Sequence, residues 1–446
     1  MRRRQRLASL LTASLIMGLA GCADNSTNLT DNPDHAQGAA DSYGAFGGDT
    51  RTSLRDTHHD KAGLALQKPH QANIPATSAI GALQKSNTLY NLTMTGEDTG
   101  YRWGFVNGVF TMQRTMDGGA QWFPITLPTP WTLAQLSAGS GQLENPGVEV
   151  VDPESVYVFG LIGKNLLALH TSDGGHHWST KSLSLDQSGM QIESVNMVGN
   201  QHGWILLRGG TKPSFYRLEN NATEFYPLKV QNGGTRTTGL PASAQAVVRF
   251  TNSNDGWLVA TTSDGLLHFY MSHNGGDTWA GKTLPPPQGL KGWKAVRVFQ
   301  PVILEKEGSF LVRYERITNG KAQMRIGTFR SIDGGAHFKS WFSDELDDAT
   351  ADYSGTPAHF INSDYGWTIN DQRLMATWDG GFTWRTIHSS SLESILHAYP
   401  RVLSMDFMSD TFGWMLLQTG DYKRTALVKV TVNGTFTWAD AKVMGP

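Results

Sequence analysis

The chain has 446 residues, and its 37 lysines and arginines nearly balance 39 aspartates and glutamates, giving a formal net charge of −2. This balance excludes the strongly basic footprint of a nucleic-acid-binding protein and a charge-driven hold on anionic lipid. Cys22 is the only cysteine, so no intramolecular disulfide can form. After residue 22, no apolar stretch reaches the length that a transmembrane helix requires.

Residues 1–21 have the composition of a targeting segment. Four arginines lie among the first six residues, and Leu7 to Leu19 form an apolar stretch too short for an ordinary spanning helix. The segment ends in Leu19-Ala20-Gly21-Cys22, which resembles the bacterial lipobox, in which the cysteine is lipidated and becomes the mature N-terminus. The resemblance implies a lipid on Cys22 that anchors the chain to a membrane of the bacterial cell envelope, outside the cytoplasm. An ordinary signal peptide, or a buried free thiol, is the alternative.

Residues 22–85 are dominated by small and polar residues without apolar runs. Such a segment cannot bury enough surface to offset its chain entropy, so we expect a disordered tether behind the lipidated cysteine. The stretch Asp56-Thr57-His58-His59-Asp60 carries metal-ligand residue types. A stable metal site needs a fold that holds its ligands in geometry, so we interpret the stretch as solvated. The sequence predicts no metal and no cofactor.

A short turn signature recurs seven times, at spacings of 46 to 59 residues, and reads Ser/Thr-x-Asp-x-Gly-x-x-Trp in its clearest copies. The Asp or Asn positions are Asp117, Asp173, Asn220, Asn274, Asp333, Asp379 and Asn433, and the copies around Asn220 and Asn433 are degraded. We expect the Asp or Asn side chain to accept hydrogen bonds from backbone N–H groups one or two residues on, and the paired glycines to supply positive φ. An enzyme needs one site, so seven equivalent acids favour a structural role.

A second signature, a polar turn followed by Gly-Trp, precedes most copies, as in Asn254 to Trp257. A turn and an aromatic residue leading into an apolar run mark a strand start. Each unit is therefore predicted to hold four strands, which in the third unit are Ser194–Val198, Gly203–Arg208, Ser214–Leu218 and Glu224–Val230. Seven units of about 52 residues predict an all-β fold, a seven-bladed β-propeller of four-stranded antiparallel blades over residues 86–446. Because each unit contains all four strands, the ends can meet without a shared blade, but the sequence alone leaves the way in which the ring closes open.

Nine of the 14 tryptophans fall at the two repeat positions, which favours core packing over a sugar-stacking platform. We expect the Asp turns and Gly-Trp turns at one edge of the propeller and the interblade loops at the opposite face. These loops are Pro128 to Pro146, Leu183 to Gln191, Val230 to Gln245, Pro285 to Ala295, Ser343 to Pro357 and His388 to Pro400. Loops free of repeat constraints are the default binding surface.

The candidate partner-binding face carries aromatic and cationic residues of the kind that anchor protein interfaces. They are Trp131, Arg236, Lys291, Trp293, Lys294, Tyr353 and Tyr399. A local acidic run at Asp344, Glu345, Asp347, Asp348 and Asp352 is interpreted as a solvated loop. A calcium site is the alternative for this run, although its spacing matches no EF-hand loop.

The innermost strands offer a second candidate site, because a polar residue recurs at a fixed distance before the aromatic residue. The set is Thr93, Glu149, Asn196, Arg249, His359 and Asp406, and blade five offers Val302, or Arg297 after a register shift. Alternation along a strand puts these side chains on one face, lining the central channel. Glu149, Arg249, His359 and Asp406 are candidates to act on a small ligand. The alternative is a water-filled channel with polar walls.

The Asp turns resemble the Asp-box, or bacterial neuraminidase repeat, of sialidases, sortilin-type receptors, some xyloglucanases and photosystem II assembly and stability factors. Gly-Trp strand starts combined with Asp-Gly-Gly-x-x-Trp turns in most of seven blades are most similar to the last family, whose bacterial members are lipoproteins. A role at photosystem II does not follow, since many bacteria that do not photosynthesise carry such propellers. Sialidases have six blades and an Arg-Ile-Pro motif, for which this chain offers only Asn73-Ile74-Pro75.

These observations predict a monomeric, non-enzymatic, lipid-anchored propeller outside the cytoplasm, acting as a protein-binding scaffold or assembly factor in the cell envelope. No catalytic set and no nucleic-acid partner is predicted. The alternative is a glycan-binding or glycoside-hydrolysing, sialidase-like propeller that uses its central channel. A structural lipoprotein bound to the cell wall, with no discrete ligand, is a third class.

Overall fold

A computed structural model describes residues 88–107, 109–128, 144–209, 213–229, 245–346 and 356–444. The predicted signal peptide, the lipidated Cys22 and the tether lie outside the described residues, as do Trp131, Arg236 and Tyr353. The same holds for Asp347, Asp348 and Asp352 of the acidic run.

The described residues form seven antiparallel sheets, each built from one contiguous stretch of chain. Blade one contains β1 (Thr88–Met94), β2 (Thr99–Val106), β3 (Val109–Met116) and β4 (Phe123–Ile125). Blade two contains β5 (Glu144–Val150), β6 (Val156–Ile162), β7 (Asn165–Thr171) and β8 (Ser179–Ser184). Blade three contains β9 (Met190–Val198), β10 (His202–Gly209), β11 (Ser214–Glu219) and β12 (Glu224–Leu228). The four strands predicted for blade three are therefore present, with ends shifted by a few residues.

The remaining blades follow the same order along the chain. Blade four contains β13 (Gln245–Phe250), β14 (Asp255–Thr261), β15 (Leu267–His273) and β16 (Ala280–Leu284). Blade five contains β17 (Lys294–Val298), β18 (Val302–Leu304), β19 (Glu307–Thr318), β20 (Lys321–Ser331) and β21 (Lys339–Phe342). Blade six contains β22 (His359–Phe360), β23 (Gly366–Asn370), β24 (Arg373–Thr377) and β25 (Arg385–Thr386). Helix α1 (Ser390–Ala398) precedes blade seven, which contains β26 (Arg401–Phe407), β27 (Phe412–Gln418), β28 (Thr425–Val432) and β29 (Ala439–Val443).

The predicted seven-bladed β-propeller is thereby confirmed, and its hydrophobic core lies between adjacent blades. Trp204 of blade three stacks on Phe250 of blade four with ring centroids 3.7 Å apart. In the same way Trp367 of blade six stacks on Phe407 of blade seven at 4.2 Å. Burial of such large aromatic surfaces between blades supplies much of the apolar stabilisation of a propeller.

The glycine of the Gly-Trp signature has a packing role. Gly413 lies opposite Phe407 in the ladder between β26 and β27. A Cβ atom on Gly413 would lie 2.6 Å from the Phe407 Cγ atom, closer than side-chain contacts allow. A Cβ atom on Gly366 would likewise lie 2.6 Å from the Cδ1 atom of Phe360. The glycine therefore lets the preceding strand place an aromatic ring against the backbone of its neighbour.

The ring closes between blade seven and blade one without a shared sheet. The backbone N–H of Met94 donates to Asp406 Oδ2 at 2.5 Å, and the Trp414 indole N–H donates to the Gly118 carbonyl at 3.1 Å. Leu92 and Met94 share a buried cluster with Trp414 and Leu427. Side-chain packing, these hydrogen bonds and a 3.1 Å bond from the Gln418 side-chain amide to the Thr88 hydroxyl therefore hold the ends together.

Two elements depart from the regular pattern of the repeats. Helix α1 lies in the loop predicted between His388 and Pro400, where the Ser389 hydroxyl accepts from the Leu392 N–H at 3.1 Å and caps its first turn. In blade five the inner strand is interrupted, because β17 and β18 pair with successive parts of β19. None of the described residues belongs to a helix long and apolar enough to cross a membrane.

Candidate functional site

The Asp turns share one hydrogen-bond pattern at the blade edges. In the first turn the Thr115 hydroxyl donates to Asp117 Oδ1 at 2.9 Å and accepts from the Gly119 N–H at 2.9 Å. Asp117 Oδ1 also accepts from the Gln121 N–H at 2.8 Å. The same bonds recur in the turns of Asp173, Asn274, Asp333 and Asp379. The side chain thus accepts from the residue four positions on, farther than the one or two residues expected from the sequence.

The buried donor of this turn is satisfied by the hydroxyl. The bond from Gly119 to Thr115 is buried, whereas the bond from Gln121 to Asp117 is exposed. Backbone N–H donation, above all from Gln121, lowers the pKa of Asp117, and donation from His177 lowers that of Asp173. These carboxylates remain ionised acceptors within their own turns. The sequence predicted that the carboxylate satisfies the buried donor, but the Ser or Thr hydroxyl performs this role.

The two degraded copies behave differently from one another. Asn433 Oδ1 still accepts from the N–H groups of Thr437 and Trp438, at 2.9 and 3.0 Å. Asn220 has a φ of 52° and its side-chain amide donates to Glu224 Oε1, so it does not cap a turn of the shared kind. An Asn tolerates the left-handed region that this tight turn requires. The predicted structural role of Asn220 is therefore corrected to that of a positive-φ turn residue.

The Asp turns lie beside the turns that join the first two strands of each blade. The Gly118 N–H donates to the Asp98 carbonyl at 2.8 Å, and Gly275 donates to Asn254 at 2.9 Å. The second glycine then meets the previous blade, since a Cβ on Gly119 would lie 2.3 Å from Leu427 Cδ2. This edge of the propeller is therefore occupied by contacts that hold turns and blades together.

The polar residues of the inner strands occupy equivalent ladder positions, opposite the aromatic strand start. The pairs are Thr93 with Tyr101, Glu149 with Tyr157, Asn196 with Trp204, Arg249 with Trp257, His359 with Trp367 and Asp406 with Trp414. Asn196 Oδ1 accepts from the Phe250 N–H at 2.7 Å, as Asp406 accepts from Met94. At least these two side chains therefore bind the backbone of the next blade.

The ionisable side chains of Glu149 and Arg249 lie on the inner strands of blades two and four. Both side chains are buried, and Glu149 Oε1 has no hydrogen-bond partner among the described residues. Burial raises the pKa of Glu149 to about 8, and the positive charge of Arg249 opposes part of this shift. Burial lowers the pKa of Arg249, while Glu149 raises it. The two groups interact electrostatically within the innermost layer of strands.

Blade five has neither predicted residue at this ladder position. Val302 pairs with Ser309 and Arg297 pairs with Arg313, so neither lies opposite Phe310, the aromatic residue of this blade. The gap between β17 and β18 falls at that position. Gln300, within the gap, donates from its side-chain amide to the Val248 carbonyl of blade four at 3.0 Å. Blade five thus has an interblade bond that the sequence spacing did not indicate, and it differs from those of Asn196 and Asp406 because Gln300 donates to the preceding blade.

The candidate partner-binding face is described only in part. Lys291 and Lys294 are exposed, whereas Trp293 is half-buried against the core cluster shared by blades four and five. The Arg316 guanidinium lies 4.6 Å from the Trp293 ring centroid. Tyr399 is half-buried at the C-terminal end of α1. Lys291, Trp293 and Lys294 therefore form one local group, beside the start of β17.

One buried Ser–His contact has the atom types of a nucleophile and its base. The Ser155 hydroxyl lies 3.2 Å from His170 Nε2, but it also lies 2.6 Å from Asn200 Oδ1. Ser155 is 1% exposed, and burial lowers the pKa of His170. A substrate cannot reach this hydroxyl, so the contact is structural. Across the described ranges, no group of three His, Cys, Asp or Glu residues is arranged to hold a metal ion.

Comparison with known proteins gives one sequence relative. No family model matches the chain. Over 148 residues the chain is 25% identical to the photosystem II assembly lipoprotein Ycf48 of Synechococcus sp. (strain CC9902), a match that covers 31% of this chain. The match spans about two fifths of the relative, 42% of its length.

Solved structures with similar architecture include Ycf48 bound to a D1 peptide, at 18% identity and a TM-score of 0.45, covering 79% of this chain and 93% of that one. A chain from a structural and mechanistic analysis of two prolyl endopeptidases matches at 10% identity and a TM-score of 0.47, over 89% of this chain and 56% of that one. At these TM-scores neither similarity carries a functional argument.

Proposed function

We propose that this chain is a protein-binding propeller that serves as a scaffold or assembly factor and performs no catalysis. The observation that carries the proposal is the 25% identity, over 148 residues, to a photosystem II assembly lipoprotein. The partner is a protein of the cell envelope and need not be a photosystem. We further propose that the turns are Asp-box repeats, because five of them share one sequence pattern and one hydrogen-bond pattern.

The described polar groups support binding over catalysis. The turn carboxylates accept hydrogen bonds within their own turns, and Asn196 and Asp406 accept from the backbone of the next blade. Groups already bonded to the scaffold are poor candidates for proton transfer to a substrate. Recognition is assigned to the interblade-loop face, through the seven residues Trp131, Arg236, Lys291, Trp293, Lys294, Tyr353 and Tyr399.

The proposal includes an anchor at Cys22. The lipobox-like sequence Leu19 to Cys22 and the lipoprotein description of the sequence relative support it. Cys22→Ala should move the protein from the membrane fraction to the soluble fraction of the envelope, because one lost acyl-modified residue removes the membrane attachment. If the Cys22→Ala protein stays in the membrane fraction although it carries no detergent-extractable lipid, the proposed lipid anchor at Cys22 is wrong.

A pull-down from the native envelope tests the binding face. The full-length protein is compared with a Trp131→Ala/Trp293→Ala/Arg236→Ala variant and with a control, Met116→Ala/Ile332→Ala/Phe382→Ala, whose residues are exposed at the Asp turns. A protein recovered with wild type and control but lost with the first variant supports the proposal. Equal recovery with all three excludes this face. If the protein hydrolyses chromogenic glycosides or sialosides, and Glu149→Gln or Asp406→Asn abolishes this activity, the protein is a glycosidase and the scaffold proposal is wrong.

A further inference from the structure

The hairpin formed by β19 and β20 is the longest in the described propeller. Its strands contain 12 and 11 residues, and they are joined by Asn319 and Gly320, whose φ angles are 51° and 73°. Two successive positive φ angles define the tight turn that matches the twist of a two-stranded ribbon. The ladder runs without interruption from Gly308–Ser331 to Thr318–Lys321. The hairpin is therefore a regular extension of blade five.

The outer end of this hairpin, residues 316–326, has two open edges. On one side β17 begins with Lys294 opposite Glu315, so no described strand pairs with the outer edge of residues 316–318. On the other side β21 ends with Phe342 opposite Gly327, so in the described ranges no strand pairs with the outer edge of residues 321–326 either. An open edge presents backbone donors and acceptors to an added strand.

The two faces of the hairpin end differ in chemistry. Residues opposite each other in a ladder share a face, so Ile317, Ala322 and Met324 lie on one face, with Ile317 70% and Met324 37% exposed. The half-buried Glu315, opposite Met324, lies at the inner end of this face. Arg316, Lys321 and Arg325 alternate with them and lie on the other face, with Thr318 and Gln323. One face is mainly apolar and the other is cationic.

The surroundings of the hairpin end add positive charge. Lys291 and Lys294 are exposed beside the start of β17, and Arg316 is held by Trp293 and by a 3.1 Å bond to Gln323 Oε1. The described acidic groups nearby are Glu315, which is half-buried, and Asp344, which lies 3.3 Å from Arg325 Nε. The surface therefore carries a local excess of cations within a chain of net charge −2.

We propose that the hairpin end docks an extended segment of a protein partner in which acidic and apolar residues alternate. The segment adds to the open edge of β20 as a further strand, with its acidic side chains beside Lys321 and Arg325 and its apolar side chains beside Met324. Arg316 and Ile317 of β19 lie one strand farther in, on the same cationic and apolar faces. Strand addition takes affinity from main-chain hydrogen bonds and specificity from alternate side chains. The inference rests on the proposed binding function and gives that function a defined surface.

Fluorescence polarisation with the full-length protein tests this docking. The probes are a short labelled peptide of alternating Glu and Val, a peptide of alternating Lys and Val, and a peptide with the first composition in two blocks. Only the alternating Glu–Val peptide should bind well, and its affinity should fall as salt is raised. Equal binding of the block or Lys–Val peptide, or no binding of the Glu–Val peptide, would overturn the inference.

Two variants locate the binding, with one matched control. Arg316→Glu/Lys321→Glu/Arg325→Glu should weaken the Glu–Val peptide by about tenfold or more, since each reversal replaces attraction by repulsion. Ile317→Ser/Met324→Ser should weaken binding while leaving its salt dependence unchanged. Lys181→Glu/Lys339→Glu/Lys442→Glu reverses three exposed charges on other strands and should leave binding within about twofold of wild type. An equal loss in the control would show a general charge effect and refute the docking site.

A photo-cross-linking experiment separates the inference from the proposed function. A benzophenone amino acid is placed at Ile317, at Tyr399 or at Phe382, and cross-linked partners from the native envelope are sequenced. Capture of an alternating acidic segment at Ile317 supports the inference. A partner captured at Tyr399 but not at Ile317 leaves the scaffold function in place and overturns the hairpin site. Capture of no protein at any position contradicts both.

Discussion

The seam between blades three and four and the seam between blades seven and one have two contacts in common. At the first, the Trp204 indole donates to the Gly275 carbonyl at 2.9 Å, and Asn196 accepts from the Phe250 N–H. At the second, Trp414 donates to Gly118 and Asp406 accepts from Met94. The closing seam is thus a copy of an internal one.

The seams differ in what else holds them. Blades three and four are consecutive in the chain, whereas the two bonds of the closing seam join residues separated by 296 and 312 positions. The closing seam also uses a carboxylate where the internal seam uses an amide. Charge-assisted hydrogen bonds are stronger than neutral ones, so the seam without a covalent connection has the stronger acceptor. Ring closure here depends on repeated side-chain contacts and needs no exchanged strand.

Truncating the seam tryptophans should give the largest effects. Trp204→Ala and Trp414→Ala each remove a fully buried indole and should lower the free energy of unfolding by about 3–5 kcal/mol. Trp414→Ala should in addition raise hydrogen exchange in β1 and β26, because no chain connection holds those strands together. Exchange measured by mass spectrometry should show no comparable rise at β9 and β13 in Trp204→Ala. Trp414→Phe, which keeps most of the apolar volume, is the control, and equal exchange in both alanine variants would contradict the distinction.

Glu149 provides a pH test, because its side chain is buried and its Oε1 atom has no hydrogen-bond partner among the described residues. Burial raises its pKa from 4.5 to about 8, so the folded chain keeps a proton that the unfolded chain releases. The free energy of unfolding should therefore fall as the pH rises from about 4.5 to about 8, by at most about 1.4 kcal/mol per pH unit, and then level off. Denaturant unfolding at several pH values should show this fall in wild type and in the exposed control Glu97→Gln, and its loss in Glu149→Gln. A fall of equal slope in Glu149→Gln would contradict the assignment.

The turn hydroxyls should matter more than the turn carboxylates at both seams. Thr115→Val leaves the buried Gly119 N–H without its acceptor and should cost about 1–3 kcal/mol of stability. Ser272→Ala should act alike on Gly276 in blade four. Asp117→Ala should have a smaller effect, because its backbone donor is exposed. Thermal unfolding ranks the variants by stability, with Thr115→Ser as the control. A larger loss of stability in Asp117→Ala than in Thr115→Val would show that the carboxylate stabilises the turn more than the hydroxyl does.

The acceptor at the closing seam should give the smallest change. Asp406→Asn keeps an oxygen for the Met94 N–H but removes the charge, and should cost about 1 kcal/mol. Asp406→Ala removes the acceptor entirely and should cost more. Chemical denaturation compares the two variants. If Asp406→Asn is as damaging as Asp406→Ala, the carboxylate has a role beyond this bond.

Much of the fold was predictable because its signals lie in short contiguous segments. The turn pattern of Thr115 to Trp122 and its repeats mark the end of one strand and the start of another, so counting them gave seven blades. Helix α1 was missed, although Leu392, Ile395 and Leu396 have helical spacing and Ser389 is a good cap. The long hairpin of blade five was also readable in principle, since Asn319-Gly320 is a strong hairpin signal.

The site was less predictable, because it depends on distances between blades. The sequence placed Asn196 and Asp406 on the inner strands, but only the spacing of neighbouring strands shows that their oxygens meet backbone N–H groups. Gln300 lies in the gap of the interrupted inner strand of blade five and bonds to blade four, which no spacing rule anticipates. The open edges beside Arg316 likewise depend on where β17 begins and β21 ends.

That each sheet is a contiguous stretch of chain has an evolutionary consequence. One blade with its turn and its interblade loop is encoded by one continuous segment of the gene. This segment can be duplicated or deleted without changing the strand pairing within any other blade. A gene whose reading frame began at blade four and ended at blade three would encode the same set of sheets, provided a linker joined the old ends. Propellers assembled in this way can diversify one loop at a time while inheriting the rest of the ring intact.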